Sequence, residues 1–284
     1  MLRLENCFHA ERAGATESYS VLPPFRRVET LVTDSSNPLD LLVRKLETHS
    51  VLDEEDRQAI LSLPFTLKTL EPHSYLVREG DAPLVCPVLV SGFAIRQKLT
   101  GDGGRQILAI HIPGEALDFQ NLFLDESDHN VQTLTRAELA FIPRQELQKL
   151  VRSRPGVAHA FLVTVLVEAS IFREWVLNVG RRDARARLAH VLCEFAIRLE
   201  KQGLADENGY QLPMTQEQLA DVLGLTSVHV NRTIMALEAD GFILRDKRRI
   251  SFPDWRRMRD IADFNQRYLH LEPQGTGNPA TEVV

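Results

Sequence analysis

Residues Thr226 to Gly241 read "TSVHVNRTIMALEADG". A helix that only packs a core repeats apolar side chains every three or four positions. The first turns here instead carry Ser227, Val228, His229, Asn231 and Arg232. Arg232 is a planar fork of donors able to grip O6 and N7 of guanine, and the Asn231 amide matches the edge of adenine. Val228 offers apolar contact, for example to a thymine methyl, and Ser227 a hydroxyl. This is the chemistry of reading base edges, in which no bond is made or broken. His229, with Thr215 and Thr226 ahead of the helix, suits phosphate oxygens, contacts that position without specifying.

Bond-making chemistry has no comparable cluster. Cys7, Cys86 and Cys193 lie far apart, with no CxxC pair and no Cys/His group at metal spacing. The HxH pair that would seat a metal in a cupin is missing, as are a P-loop, a GxGxxG turn and a nucleophile–base motif. The sequence therefore predicts no catalytic residue, no metal and no cofactor. Cys193 sits in the apolar "HVLCEF", where packing explains it; Cys86, before Pro87, leaves a redox switch open. A sparse, odd cysteine count fits a reducing compartment. With no signal-peptide core and no apolar run of about 18 residues, a cytoplasmic chain without a membrane span is expected.

The elements that must hold the polar cluster can be read around it. Thr215 and Gln218 form a capping box for a first helix, whose buried side is Leu219, Val222 and Leu223. Gly224 supplies a tight turn, and Val230, Ile234 and Leu237 face the second helix inward, which makes a helix-turn-helix. After Gly241, "FILRDKRRISF" alternates into a two-stranded wing with Asp246-Lys247-Arg248 at its tip. Arg245, Lys247, Arg248 and Arg249 supply local positive charge in a chain of 284 residues whose net charge is −6. That balance argues against a surface that binds nucleic acid everywhere, but a small basic patch suffices.

Ahead of this region the pattern changes twice. Residues 1–37, broken by Pro23 and Pro24, predict a flexible extension. Two short amphipathic helices follow, one on Leu39, Leu42, Val43 and Leu46, the next on Ile60 and Leu61 after Asp53-Glu54-Glu55. From Phe65 to Phe141 short apolar runs alternate with glycine, and "TGDGG" marks a hairpin, so a small antiparallel barrel or sandwich is expected. Pro155 then opens a long helix over Val157–Val179. Ala158, Leu162, Val165, Ala169, Phe172, Val176 and Val179 repeat in 4-3 spacing, the seam of a coiled coil, and predict a homodimer. Phe161, Ile171 and Trp175 on the adjoining face suit packing on the barrel. Gly180 is read as a break and Asp183 as the next N-cap, a hinge between two units.

Together "IFREWVLNVGRRDARARLAHVLCEF", "LPMTQEQLADVLGLTSVHVNRT" and "FNQRYLHL" resemble the Crp/Fnr family of bacterial transcriptional regulators over residues 38–255. The resemblance implies an α+β chain in five parts. They are the extension 1–37, a cyclic-nucleotide-binding-like double-stranded β-helix barrel over 38–152, and a dimerisation helix and hinge over 153–181. A winged helix-turn-helix over 182–255 and a tail over 256–284 complete it. It implies a homodimer on a pseudo-palindromic operator, recognition helices about 34–36 Å apart, RNA polymerase as a further partner, and a small-molecule effector in the barrel.

The effector cassette departs from the family. Members that bind cyclic AMP carry Gly-Glu and, about ten residues on, Arg-Ser or Arg-Thr. Here Asp118-Phe119 and His129-Asn130 stand at those places. Phe172 and Arg173 replace the small hydroxyl residues expected near the base. A carboxylate with no arginine opposes an anion, so cyclic AMP is not expected as effector. Haem would need an axial ligand, for which His73, His111 and His129 are the candidates.

Overall fold

The computed structural model describes residues 37–206 and 209–272. The extension expected over 1–37 falls outside the described residues except for Asn37, as do Cys7 and the chain beyond 272. Helix α1 (Asp40–Glu47) buries Leu42, Val43 and Leu46. Helix α2 (Glu54–Leu61) starts where the Asp53 carboxylate accepts the Asp56 N–H at 2.6 Å. Seven strands follow: β1 (Thr66–Leu70), β2 (Tyr75–Val77), β3 (Val85–Ser91), β4 (Ala94–Leu99), β5 (Arg105–His111), β6 (Asn130–Thr133) and β7 (Ala137–Pro143). They form two antiparallel sheets, ordered β1-β7-β3 and β2-β6-β4-β5.

Between the sheets Val77, Leu89, Ala94, Leu117, Val131, Ala137 and Leu139 are no more than 2% exposed, which is the small antiparallel barrel expected. Gly92 turns β3 into β4 at φ +81°, and a Cβ there would stand 2.4 Å from the Arg136 carbonyl oxygen, so no side chain fits. "TGDGG" closes the β4–β5 hairpin, with the Thr100 N–H donating to Gly104 O at 2.8 Å.

Helix α3 (Arg144–Ser153), not set apart by any signal in the sequence, leads into α4 (Pro155–Arg181), 27 residues long. Its inner face buries Val157, Ala160, Phe161, Val167 and Trp175 against the body. On the outer face Leu162, Val165 and Val176 are 57%, 40% and 73% exposed, and Leu166 and Leu177 widen the apolar strip. Ala158, Ala169, Phe172 and Val179 are half-buried. Because both faces are apolar, α4 is long and apolar enough, by length and composition, to cross a bilayer. The expectation of no such segment is corrected to that extent. Its inner face nevertheless carries Thr164, Ser170 and Asn178, whose side chains find partners at Ala160 O, His270 Nε2 and Arg187 O.

The helix does not break at Gly180. It runs through to Arg181, and the break falls at Arg182 and Asp183. Nothing lies within 4 Å of a Cβ built on Gly180. Arg182 pins the break through its Nη2, 2.7 Å from Glu174 and 3.2 Å from Asp263. Asp183 caps α5 (Ala184–Lys201), accepting the Ala186 N–H at 2.9 Å.

Helices α6 (Gln216–Leu223) and α7 (Ser227–Ala239) pack on α5, followed by β9 (Leu244–Asp246) and β10 (Arg249–Ser251). The wing has three strands rather than the two expected, because β8 (Tyr210–Gln211) pairs with the free edge of β10. The tail expected after 255 is also structured. Helix α8 (Trp255–Ile261) and a short 3-10 helix, Gln266–Leu269, fold back on α5 and α4. Met258, Phe264 and Leu269 are buried there, and Tyr268 donates to Glu194 at 2.8 Å. One core runs from Ile95, Ile107 and Ile110 of the barrel through Leu188, Leu192 and Phe195 of α5 to Leu237 of α7. Arg105 to Asp221 at 2.6 Å and Gln106 to Val222 O at 3.2 Å join the same parts.

Two buried histidines in these joints predict acid sensitivity. Burial, aided by Lys45, pushes His49 down to about 4; burial and Arg182 push His190 down to about 3. Both rings are neutral in the folded chain, whereas the unfolded chain takes up protons below 6.5. Their stabilisation is therefore complete above that pH and is lost as pH falls towards 4, by about 1.4 kcal/mol per unit for each ring. Urea midpoints at neutral and mildly acidic pH should show the decline; a flat profile would contradict it.

Candidate functional site

The α6–α7 pair is built as its sequence dictates. The Gln218 N–H donates to Thr215 Oγ1 at 3.2 Å and the Thr215 N–H to Gln218 Oε1 at 2.8 Å, completing the capping box. Leu219, Val222 and Leu223 are buried, as are Val230, Ile234 and Leu237. Gly224 sits between the helices at φ +62°, the left-handed conformation a side chain disfavours. A Cβ there would lie 3.3 Å from Val179 Cγ1, so the last residue of the expected seam packs against this turn. Arg187 of α5 fixes the same place by donating to Leu223 O at 2.6 Å.

Helix α7 starts on Thr226, whose Oγ1 accepts the His229 N–H at 3.2 Å and keeps its own proton for another acceptor. Ser227, Val228, His229, Asn231 and Arg232 are all exposed, on the side away from the core. Thr215 is exposed beside them. Two residues of this face were missed from sequence. Gln216 donates to Asn231 Oδ1 at 3.1 Å and orients that amide, and Met235 is 57% exposed. The signals existed: Gln216 directly follows the cap, and Met235 falls outside the inward triad.

The wing carries less free charge than its sequence suggests. Arg245 lies 3.5 Å from Glu238 and Arg249 lies 2.5 Å from Asp206. Lys247, at φ +54° on the tip, and Arg248 are exposed and have no side-chain partner among the described residues. Arg232 on α7 is exposed as well.

In the cassette, Asp118 takes the left-handed φ of +73° and opens a 3-10 helix, Phe119–Leu122. Its Oδ1 lies 3.2 Å from His129 Nε2, its Oδ2 accepts from Asn121, and both Asp118 and His129 are buried. The Phe119 ring packs at 4.2 Å on Phe161, and Asn130 Oδ1 accepts the Glu79 N–H at 3.2 Å. Asp118, Phe119, His129 and Asn130 are thus turned inward onto protein partners. Arg173 is not brought to them. It is exposed on α4 and donates to Ser170 Oγ at 2.6 Å.

The other sequence candidates are placed as plainly. His73 is exposed, and His111 is buried 3.1 Å from Glu115. Cys86 and Cys193 are buried, and burial pushes both thiols well above their usual range, so neither presents an accessible thiolate.

A helix-turn-helix with an exposed polar recognition face, carried behind a long helix and a nucleotide-binding-type barrel, defines a DNA-binding transcriptional regulator. Residues 67–154 match the cyclic nucleotide-binding domain and residues 186–261 the Crp-like helix-turn-helix domain. The nitrogen fixation regulation protein FixK of Rhizobium meliloti (strain 1021) is 30% identical over 208 residues, 72% of this chain and 91% of that one. The transcriptional activator protein FnrL of Cereibacter sphaeroides is 29% identical over 191 residues, 66% of this chain and 76% of that one. The chain belongs to the Crp/Fnr family of transcriptional regulators. In fold it is similar to FixK2 of Bradyrhizobium japonicum, with a TM-score of 0.65 at 24% identity, covering 70% of this chain and 98% of that one.

Proposed function

We propose that this regulator acts in the cytoplasm as a homodimer on a pseudo-palindromic duplex operator, without cyclic AMP as its signal. The observation that carries the reading is the first half of α7, where Ser227, Val228, Asn231 and Arg232 are exposed while Val230, Ile234 and Leu237 hold the opposite face in the core. Those four read base edges; Thr215, Thr226, His229, Lys247 and Arg248 hold the phosphates. Leu162, Val165, Ala169, Phe172 and Val176 form the dimer seam, with Val179 at its end shared with the turn at Gly224. The break at Arg182 and Asp183 divides the sensor part, 38–152 with its helix, from the DNA-binding part that begins at 182. At the cassette His129 and Asn130 stand where a cyclic phosphate needs an arginine, and the buried Asp118 carboxylate lies 3.2 Å from His129, which supports a different effector or none. RNA polymerase as a partner is supported by relatives named as activators.

Selection of binding sites from random duplexes with the full chain, with and without cyclic AMP, tests the reading. An inverted repeat enriched equally in both is expected; enrichment dependent on the nucleotide, or none, would overturn it. Arg232→Ala should cost about 1–3 kcal/mol and relax one base position. Arg248→Ala should weaken all sequences alike and lower the salt slope by about one. Titrations of operator and scrambled duplex across salt concentrations separate the two, and unchanged discrimination in Arg232→Ala would remove it from the base-reading set.

A further inference from the structure

A cavity of about 60 Å3 opens between the four-stranded sheet, α1, α4, α5 and the folded-back end of the chain. Of the cassette only Phe119 and Phe172 reach it; Asp118, His129 and Asn130 do not line it. Leu46, Leu108, Val167, Ile171 and Leu269 give it apolar walls. Its polar floor is made by Arg96, His111, Glu115 and Arg198.

Arg96 is 3% exposed. Its Nη1 is 3.2 Å from Glu168 Oε2, while Nε and Nη2 are buried and meet no acceptor among the described residues. Those two nitrogens make one edge of the guanidinium, with N–H bonds side by side, the geometry that takes both oxygens of a carboxylate. Buried donors of a cation are rarely left unmet, so the edge marks a missing acceptor. His111 Nε2 and Arg198 Nε are likewise buried without a partner. Lys45 and Arg198 are paired with Glu115 here, Arg198 also with Glu194, and Arg96 Nη1 with Glu168, so the Nε–Nη2 edge of Arg96 is the charged donor pair left unmet among the described residues.

We infer that this cavity binds a small carboxylate with an apolar body, its two oxygens on the Nε–Nη2 edge of Arg96. The carboxylate supplies the acceptors that the buried Arg96 edge lacks, and the apolar walls take the rest of the molecule. The floor is also where the C-terminal unit is tied to the barrel, by Arg198 Nη2 donating to Ile110 O at 2.7 Å and lying 3.1 Å from Glu115. Occupancy therefore acts at the joint that sets the recognition helix, a consequence that rests on the DNA-binding reading; the binding itself does not.

The test uses the full chain without DNA, following Trp175, which lines the cavity, by fluorescence and the heat of binding by calorimetry. The probes are hexanoate and phenylacetate, each beside its neutral primary amide. At least one acid should bind saturably, with its amide weaker by about tenfold or more. Arg96→Gln should erase that preference, and Ala109→Phe, which fills the cavity from β5, should abolish binding. Should Arg96→Gln fail to fold, the acid–amide comparison and Ala109→Phe decide. Equal binding of acid and amide, no binding of either acid, or binding that survives Ala109→Phe would overturn the inference. Such a failure leaves operator selection untouched, so it is distinguishable from failure of the DNA-binding reading.

Discussion

Val176→Glu should give a folded monomer that no longer holds its operator. In the single protomer Val176 is 73% exposed, so a glutamate there meets water and leaves the protomer's core intact. In a parallel helix pair the 4-3 seam brings Val176 against its symmetry mate, where two carboxylates would be buried together with no cation between them. The apolar strip of Leu162, Val165, Leu166 and Leu177 would then have no partner to cover it. A dimer grips two half-sites at once, the second at high effective concentration; losing that link should lower operator affinity by roughly a hundredfold or more. Sedimentation and operator titration of the same preparation check both halves of the expectation. A stable dimer with full affinity would remove α4 from the interface.

Arg198→Leu should destabilise the chain by about 3–5 kcal/mol, since it breaks a buried ion network from its centre. Arg198 stands 3.1 Å from Glu115 and 3.3 Å from Glu194, and it satisfies Ile110 O. Glu115 keeps Lys45 at 2.9 Å, but Glu194, 2% exposed, keeps only the neutral donors Trp175 and Tyr268. Burial already pushes the Glu194 carboxyl above its usual range in the intact chain, against the pull of Arg198. Without the arginine it rises further. A carboxyl with a raised folded value destabilises above its unfolded value of 4.5, so the penalty should be largest at neutral pH and shrink on acidification. Urea unfolding of variant and parent at matched pH cancels the histidine contribution. Adding Glu194→Gln should recover much of the loss, whereas a penalty that grows in acid would show that Glu194 is not the cause.

What was legible in the sequence is what neighbours along the chain decide. The Thr215–Gln218 box, the caps Thr226 and Asp183, Pro155 in the first turn of α4 and the inward triad of α7 all involve residues within one or two turns. Periodicity and capping are local rules, so the helix-turn-helix and its exposed polar edge could be drawn before any fold was known. The 4-3 spacing was legible for the same reason; in the protomer Leu162, Val165 and Val176 are exposed and Ala158, Ala169, Phe172 and Val179 half-buried.

Tertiary structure decided the rest. Gly180 has a helix-breaking preference of about 1 kcal/mol, yet α4 passes through it and stops where Arg182 is held by Glu174 and Asp263. The two-residue β8 is a strand because the β10 edge receives it. Arg245 and Arg249 look free in sequence, and Glu238 and Asp206 take them. The cavity floor joins Arg96 to Glu168 and Arg198 to Ile110, pairs separated by 72 and 88 residues. By itself the sequence determined a DNA-binding helix pair behind a long apolar helix, because those features repeat within a few residues. The tertiary structure decided which charges stay free and where a ligand fits, because charge pairing and enclosed space depend on residues brought together only when the chain folds back on itself.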